Sequence, residues 1–124
     1  MSGPRILIVE DSTMVRMTVK RTLASVEFEV EEAKDGAEGL DKVKTATIPY
    51  DLILTDLNMP NMDGLTMVQN IRTLPNYENT PIVMLTTESG DDKKSVGHKA
   101  GISAWMVKPF EPDNLIEVVG SMLF

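Results

Sequence analysis

Short apolar and β-branched runs recur along the chain: Ile6-Leu7-Ile8-Val9, Leu52-Ile53-Leu54-Thr55, Ile82-Val83-Met84-Leu85 and Ala104-Trp105-Met106-Val107. Their shortness, lack of polar alternation and flanking turn residues predict strands buried on both faces, as in a parallel sheet covered by helices. A further run, Phe28-Glu29-Val30-Glu31, alternates apolar with acidic residues and predicts an edge strand.

Helical spacing fills the gaps. Val15, Val19 and Leu23 stand at i, i+4 and i+8; Ala37, Leu40 and Val43, and again Leu65, Val68 and Ile71, at steps of three; Leu115, Val119, Met122 and Leu123 at i, i+4, i+7 and i+8. Each set forms one apolar stripe. A helix poorer in apolar residues is predicted between Asp91 and Lys99. Asp35 with Glu38 resembles a capping box, Ser89 with Asp92 does the same, and Pro112 suits a first helical position. Pro60 and Gly64 read as a turn, with Gly64 permitting a positive φ or a close backbone approach.

Strand and helix therefore alternate, with no internal repeat, low-complexity tract or linker. That order predicts an α/β fold with a doubly wound parallel sheet and right-handed crossover helices. Ligands of such sheets bind beyond the carboxyl ends of the strands, at the point where the strand order reverses.

The residues just past the strand runs are Glu10 and Asp11, then Asp56, Thr86 and Lys108. If the first and third strands are neighbours about 4.8 Å apart, Asp11 and Asp56 face each other across a gap that one ion could bridge. Glu10 adds a third carboxylate. Two like charges about 5 Å apart repel by roughly 3 kcal/mol at an effective dielectric near 20, so the cluster needs a cation to stay ionised. Oxygen-only ligands select a hard ion; Mg²⁺ fits, since it accepts one or two carboxylates and keeps positions for phosphate oxygens. Calcium would want a fuller cage, and no EF-hand loop is present. Read singly, each acid, Glu10 especially, is better taken as a solvated loop carboxylate or a helix cap; polar groups ending four strands on one edge jointly predict a site.

Composition narrows the field further. A chain of 124 residues is short for more than one domain, so residues 1–124 are expected to form a single unit, too small for a multidomain enzyme. The net charge of −7 argues against a nucleic-acid-reading face or adhesion to anionic lipid. With 42% hydrophobic and 25% charged residues, the chain is too apolar to be disordered. Cysteine is absent, which excludes disulfides, thiolate nucleophiles and sulfur metal sites and agrees with a reducing compartment. The apolar runs fall far short of the roughly 18 residues of a membrane span. Met1-Ser2-Gly3-Pro4-Arg5 leads into a strand, not a signal-peptide core, so a cytoplasmic location is expected. His98, alone on a polar helix, is expected at the surface, Met84 and Met122 in packing, and Asp91-Asp92-Lys93-Lys94 as a solvated helix start.

Glu10-Asp11, Asp56 within Asp56-Leu57-Asn58-Met59-Pro60-Asn61-Met62-Asp63-Gly64, Thr86, and Lys108-Pro109-Phe110 resemble the receiver domain of two-component response regulators. The resemblance spans essentially the whole chain and is strongest to stand-alone receivers of the chemotaxis type. It implies a flavodoxin-like (βα)5 domain with strand order 2-1-3-4-5. It implies that Asp56 accepts a phosphoryl group from a phosphohistidine on a histidine kinase or phosphotransfer protein, or from a small phosphodonor. Mg²⁺, with Mn²⁺ as a substitute, would be held by Glu10, Asp11, Asp56 and the backbone carbonyl of Asn58. Lys108 and Thr86 would engage the phosphoryl group. Trp105, where tyrosine or phenylalanine is more usual, would be the aromatic switch.

The same resemblance implies a cis Lys108-Pro109 bond and a tuning of autodephosphorylation by Asn58 and Glu88. It places a downstream protein on the fourth helix, fifth strand and fifth helix, the flagellar motor switch if the role is chemotactic. A monomeric switch that binds neither nucleic acid nor membrane, and is not a turnover enzyme, is the expectation. Three alternatives remain at this level. One is an adaptor of the same fold that works without phosphorylation. Another is a haloacid-dehalogenase-type phosphohydrolase, which would need an acid where Asn58 stands. The third is a flavodoxin-like carrier, whose flavin phosphate Glu10-Asp11 would repel.

Overall fold

The computed structural model describes residues 3–124; the opening Met1-Ser2 lies outside them. In chain order the elements are β1 (Arg5–Val9), α1 (Thr13–Ala24), β2 (Glu29–Ala33), α2 (Gly36–Thr45), β3 (Leu52–Thr55), α3 (Gly64–Ile71), a 3-10 turn (Pro75–Tyr77), β4 (Ile82–Thr86), α4 (Asp91–Ala100), β5 (Ala104–Val107) and α5 (Pro112–Leu123). All strand pairs are parallel and the order is β2-β1-β3-β4-β5. The order reverses between β1 and β3, so their carboxyl ends form the crevice that a doubly wound sheet offers to ligands.

Alternation along the strands divides the core into two layers. Leu7, Val9, Ile53 and Met84 point to the face covered by α2 and α3, where they meet Leu40, Val43, Met67, Val68 and Ile71. Ile6, Ile8, Leu54, Val83 and Leu85 point to the other face, against Val19 and Leu23 of α1 and Leu115 and Val119 of α5. Strands buried on both faces cannot show polar alternation, which is why their runs are uniformly apolar.

The strand predicted over Phe28–Glu31 runs instead over Glu29–Ala33. Its extent follows from residue-for-residue pairing with β1, from Arg5 opposite Glu29 to Val9 opposite Ala33, and its edge position is as expected. Phe28 packs against the α1/α5 layer just ahead of the strand. Thr86 closes β4 and does not follow it. Ala37 is exposed, and the buried stripe of α2 is Gly36, Gly39, Leu40 and Val43. The cap expected from Ser89 is absent: α4 starts from Gly90, without a side-chain cap. Asp35 does cap α2, accepting from Glu38 N at 2.8 Å, and Pro112 opens α5. Met84 and Met122 pack as expected, and His98 is exposed with Nδ1 3.0 Å from the Ile102 carbonyl. Among the described residues no helix is long and apolar enough to cross a membrane.

Candidate functional site

Both ladders of β1 continue past the strand ends. On the β3 side Val9 lies opposite Thr55 and Asp56 N donates to Val9 O at 3.0 Å; on the β2 side Glu10 N donates to Ala33 O at 3.0 Å. Glu10 and Asp56 are therefore brought side by side by backbone pairing, and Asp11 follows at the mouth of the crevice. Ligand oxygens of Glu10, Asp11 and Asp56 all lie within 4.8 Å of one another. Glu10 and Asp56 are buried and Asp11 is exposed, so the cluster opens to solvent on one side.

Lys108 closes the other side. Its backbone N donates to Thr86 O at 2.8 Å, extending the β4/β5 ladder, and the Lys108-Pro109 peptide is cis. Its Nζ donates to Glu10 Oε1 at 2.6 Å and to Asp56 Oδ2 at 3.3 Å. The remaining carboxylate oxygens take backbone donors: Glu10 Oε2 accepts from Ser12 N at 3.0 Å, and Asp56 Oδ1 from Leu57 N at 2.7 Å.

Burial pushes the Glu10 carboxyl above its ordinary range, the hydrogen bonds from Lys108 and Ser12 oppose this, and the neighbouring Asp56 charge reinforces it. Burial alone would depress the Lys108 ammonium. The hydrogen bond to Glu10 and the charges of Glu10 and Asp56 outweigh it and hold Lys108 above its usual value. The crevice therefore keeps a fixed cation against two carboxylates. A third carboxylate and an oxygen-only donor set fit a hard divalent ion there.

A second group forms at the rim. Glu88 accepts from Asn58 Nδ2 at 3.3 Å and pairs with Lys93 Nζ at 3.0 Å. The hydrogen bond from Lys93 leads the causes that hold Glu88 below the usual carboxylate range. The Glu88 backbone joins two more of the expected residues: its N–H donates to Thr86 Oγ1 at 3.3 Å, and its carbonyl accepts from Trp105 Nε1 at 2.8 Å. Thr86 is fully buried and turned to the β4–α4 loop, while Trp105 is half-buried against α4.

The candidate site residues singled out from sequence thus fall in two linked groups. Glu10, Asp11, Asp56 and Lys108 form the crevice, and Asn58, Thr86, Glu88 and Trp105 form the rim. Three neighbours were not read as part of the site: Ser12, Arg16 and Lys93, the last expected only as part of a solvated helix start. Ser12 caps α1 through Oγ, 3.3 Å from Val15 N, and a serine ahead of an apolar helix was a legible signal. Arg16 and Lys93 left none, because their partners are distant in sequence or lie across a loop.

Residues 6–120 match the family described as the response regulator receiver domain. The chain is 38% identical over 114 residues to chemotaxis protein CheY1 of Helicobacter pylori, covering 91% of each. It is 40% identical to the chemotaxis response regulator CheY4 of Vibrio cholerae, with a TM-score of 0.92 over 98% of this chain and 100% of that one. A receiver domain of a sensor histidine kinase from Pseudomonas aeruginosa PAO1, described with a magnesium ion coordinated in its active site cleft, is 26% identical with a TM-score of 0.89, covering 98% of each chain.

Proposed function

Because the chain belongs to the response regulator receiver domain family, we propose that it is a phosphorylation-activated switch of the chemotaxis type, with Asp56 as phosphoacceptor. The observation that carries this reading is the crevice itself: a buried carboxylate at the switch point, beside two more acids and under one ammonium. The Asp56 carboxylate attacks phosphorus, an Asp56 O–P bond forms, and the N–P bond to the donor histidine breaks. Such transfers ask mainly for in-line positioning and neutralisation of spread negative charge. Glu10, Asp11, Asp56 and the Asn58 backbone carbonyl would hold Mg²⁺, for which Mn²⁺ can substitute. When bound, that ion supplies positive charge to the phosphoryl oxygens. Lys108 supplies the other.

Phosphorylation replaces one negative charge on Asp56 with about two. Lys108 then shifts from the Glu10 and Asp56 carboxylates toward a phosphoryl oxygen. Thr86 Oγ1, now occupied by the Glu88 N–H, reorients to the phosphoryl group, and the Trp105–Glu88 bond carries the loop movement to β5. The face of α4, β5 and α5 is the output surface for a downstream protein, the flagellar motor switch if the pathway is chemotactic. Asn58 and Glu88, joined at the rim, govern the water that hydrolyses the acyl phosphate. The phosphodonor is a histidine kinase or a phosphotransfer protein. The switch works as a cytoplasmic monomer formed by residues 1–124, without catalysing turnover of a separate substrate.

Exposure to acetyl phosphate, followed by intact mass, tests the reading. A Mg²⁺-dependent gain of one phosphoryl group that vanishes in Asp56→Ala is expected. No gain in the wild type would favour a phosphorylation-independent adaptor, and sustained phosphate release at high turnover would favour a phosphohydrolase.

A further inference from the structure

Arg16 lies one turn into α1 with its side chain largely covered, and it reaches two elements at once. Its Nη1 donates to the backbone carbonyl of Glu10 at 2.7 Å, and its Nε donates to Glu32 Oε1 on β2 at 3.1 Å. Lys20 Nζ, one turn further along α1, holds the other Glu32 oxygen at 3.0 Å. We propose that Arg16 is a positioning residue for the divalent-cation site, fixing the Glu10-Asp11 turn against β2 so that the Asp11 carboxylate is presented to Asp56. This rests on the metal-dependent reading of the crevice given under Proposed function.

The physical reason is the planar peptide. The Glu10 carbonyl, the Asp11 nitrogen and the Asp11 Cα share one plane, so holding that oxygen sets the direction in which Asp11 leaves β1. Asp11 needs this help more than its neighbours. Glu10 and Asp56 are buried and paired to Lys108, whereas Asp11 is exposed. Loss of the Arg16 bond would let the turn sample several orientations, and cation binding would have to order it again. The planar fork matters because it spans the carbonyl and the carboxylate together; an ammonium is a single point donor.

The opposite sign is expected if Arg16 acts only through its charge. A cation near three carboxylates repels a second cation, so deleting it would tighten metal binding. The two roles can be separated by measuring Mn²⁺ affinity from the free-ion electron paramagnetic resonance signal, at fixed ionic strength, with folding checked by thermal melts in EDTA. Removing a partner that orients a ligand commonly costs 10–100-fold in affinity, so Arg16→Gln is expected to weaken Mn²⁺ roughly tenfold. Arg16→Lys, which keeps the charge, should weaken it by a smaller factor. Glu32→Gln should also weaken it, and adding Glu32→Gln to Arg16→Gln should cost nothing more.

Unchanged or tighter binding in Arg16→Gln overturns the proposal. So does a Glu32→Gln effect of the same factor with and without Arg16. If Arg16→Gln does not fold, unchanged affinity in both Arg16→Lys and Glu32→Gln overturns it. A wild type that fails to bind Mn²⁺, or an Asp11→Asn variant that binds as the wild type does, sinks the metal reading itself, a result distinct from either.

Discussion

Glu10 is nearly sealed from solvent, yet it carries a carboxylate that Lys108 and a backbone N–H make tolerable. Removing one partner of a buried pair leaves the other charge uncompensated. Lys108→Met is therefore expected to lower stability by about 3 kcal/mol near pH 8 in EDTA. The deficit should depend on pH with a definite sign. Glu10 already has its folded-state pKa raised by burial, and loss of the ammonium raises it further. A raised acid contributes stability below its unfolded value and loses that contribution as pH rises through the folded value. The variant should thus recover part of its deficit between pH 8 and pH 5, a range above the ordinary Glu value of about 4.3. Urea unfolding at the two pH values checks this, and a pH-independent deficit would contradict it. The types and positions of Glu10, Asp56 and Lys108 were legible at the strand ends. That Lys108 spans both carboxylates was not, because the sequence says nothing of side-chain reach.

At the scale of elements, α4 shows how function and legibility trade against each other. Gly97 is its one buried position, and a Cβ there would stand 2.8 Å from Trp105 Cζ3. The helix therefore rests on the indole through a notch, while the indole nitrogen holds the Glu88 carbonyl in the loop that leads into the helix. Gly97→Ala gains about 1 kcal/mol of helix propensity and spends it on displacing the ring. Stability should change little, while the emission of the single tryptophan should shift to the red as the displaced ring becomes more exposed to water. Unaltered emission would show that the ring does not depend on the notch. A helix with so small a buried surface carries no apolar stripe to mark its bounds, which is why Ser89 was a misleading cap. By contrast α2, α3 and α5 each bury a stripe on the sheet, and their periodicity was readable. The slip at β2 has a related cause: three of its five residues are glutamates, so its ends are set by pairing with β1 and not by an apolar run of its own.

For the whole molecule, a metal held in the acidic crevice would couple its binding to folding, because the three carboxylates come from separate strand ends and meet only in the native state. A ligand that binds the folded form alone stabilises it by about 2.7 kcal/mol at a hundred times its dissociation constant. Mg²⁺ at that excess should raise the melting temperature of the wild type, and Asp11→Asn should remove the rise while leaving the melt in EDTA near that of the wild type. Calorimetry with and without Mg²⁺ decides this, and an equal rise in both proteins would place the ion elsewhere.

Strand number, parallel class, the two-layer burial and the row of polar strand ends were all present in the chain as written. Each follows from local facts: the length of an apolar run, its period, and the residue that ends it. Sheet order rested on the resemblance and is now seen directly. Only the tertiary structure shows Lys108 bonded to Glu10 across 98 positions, Arg16 tying Glu10 to Glu32, and Trp105 seated on Gly97. Those relations depend on how helices and strands pack side by side. Packing distances between remote residues leave no periodic trace in a one-dimensional pattern.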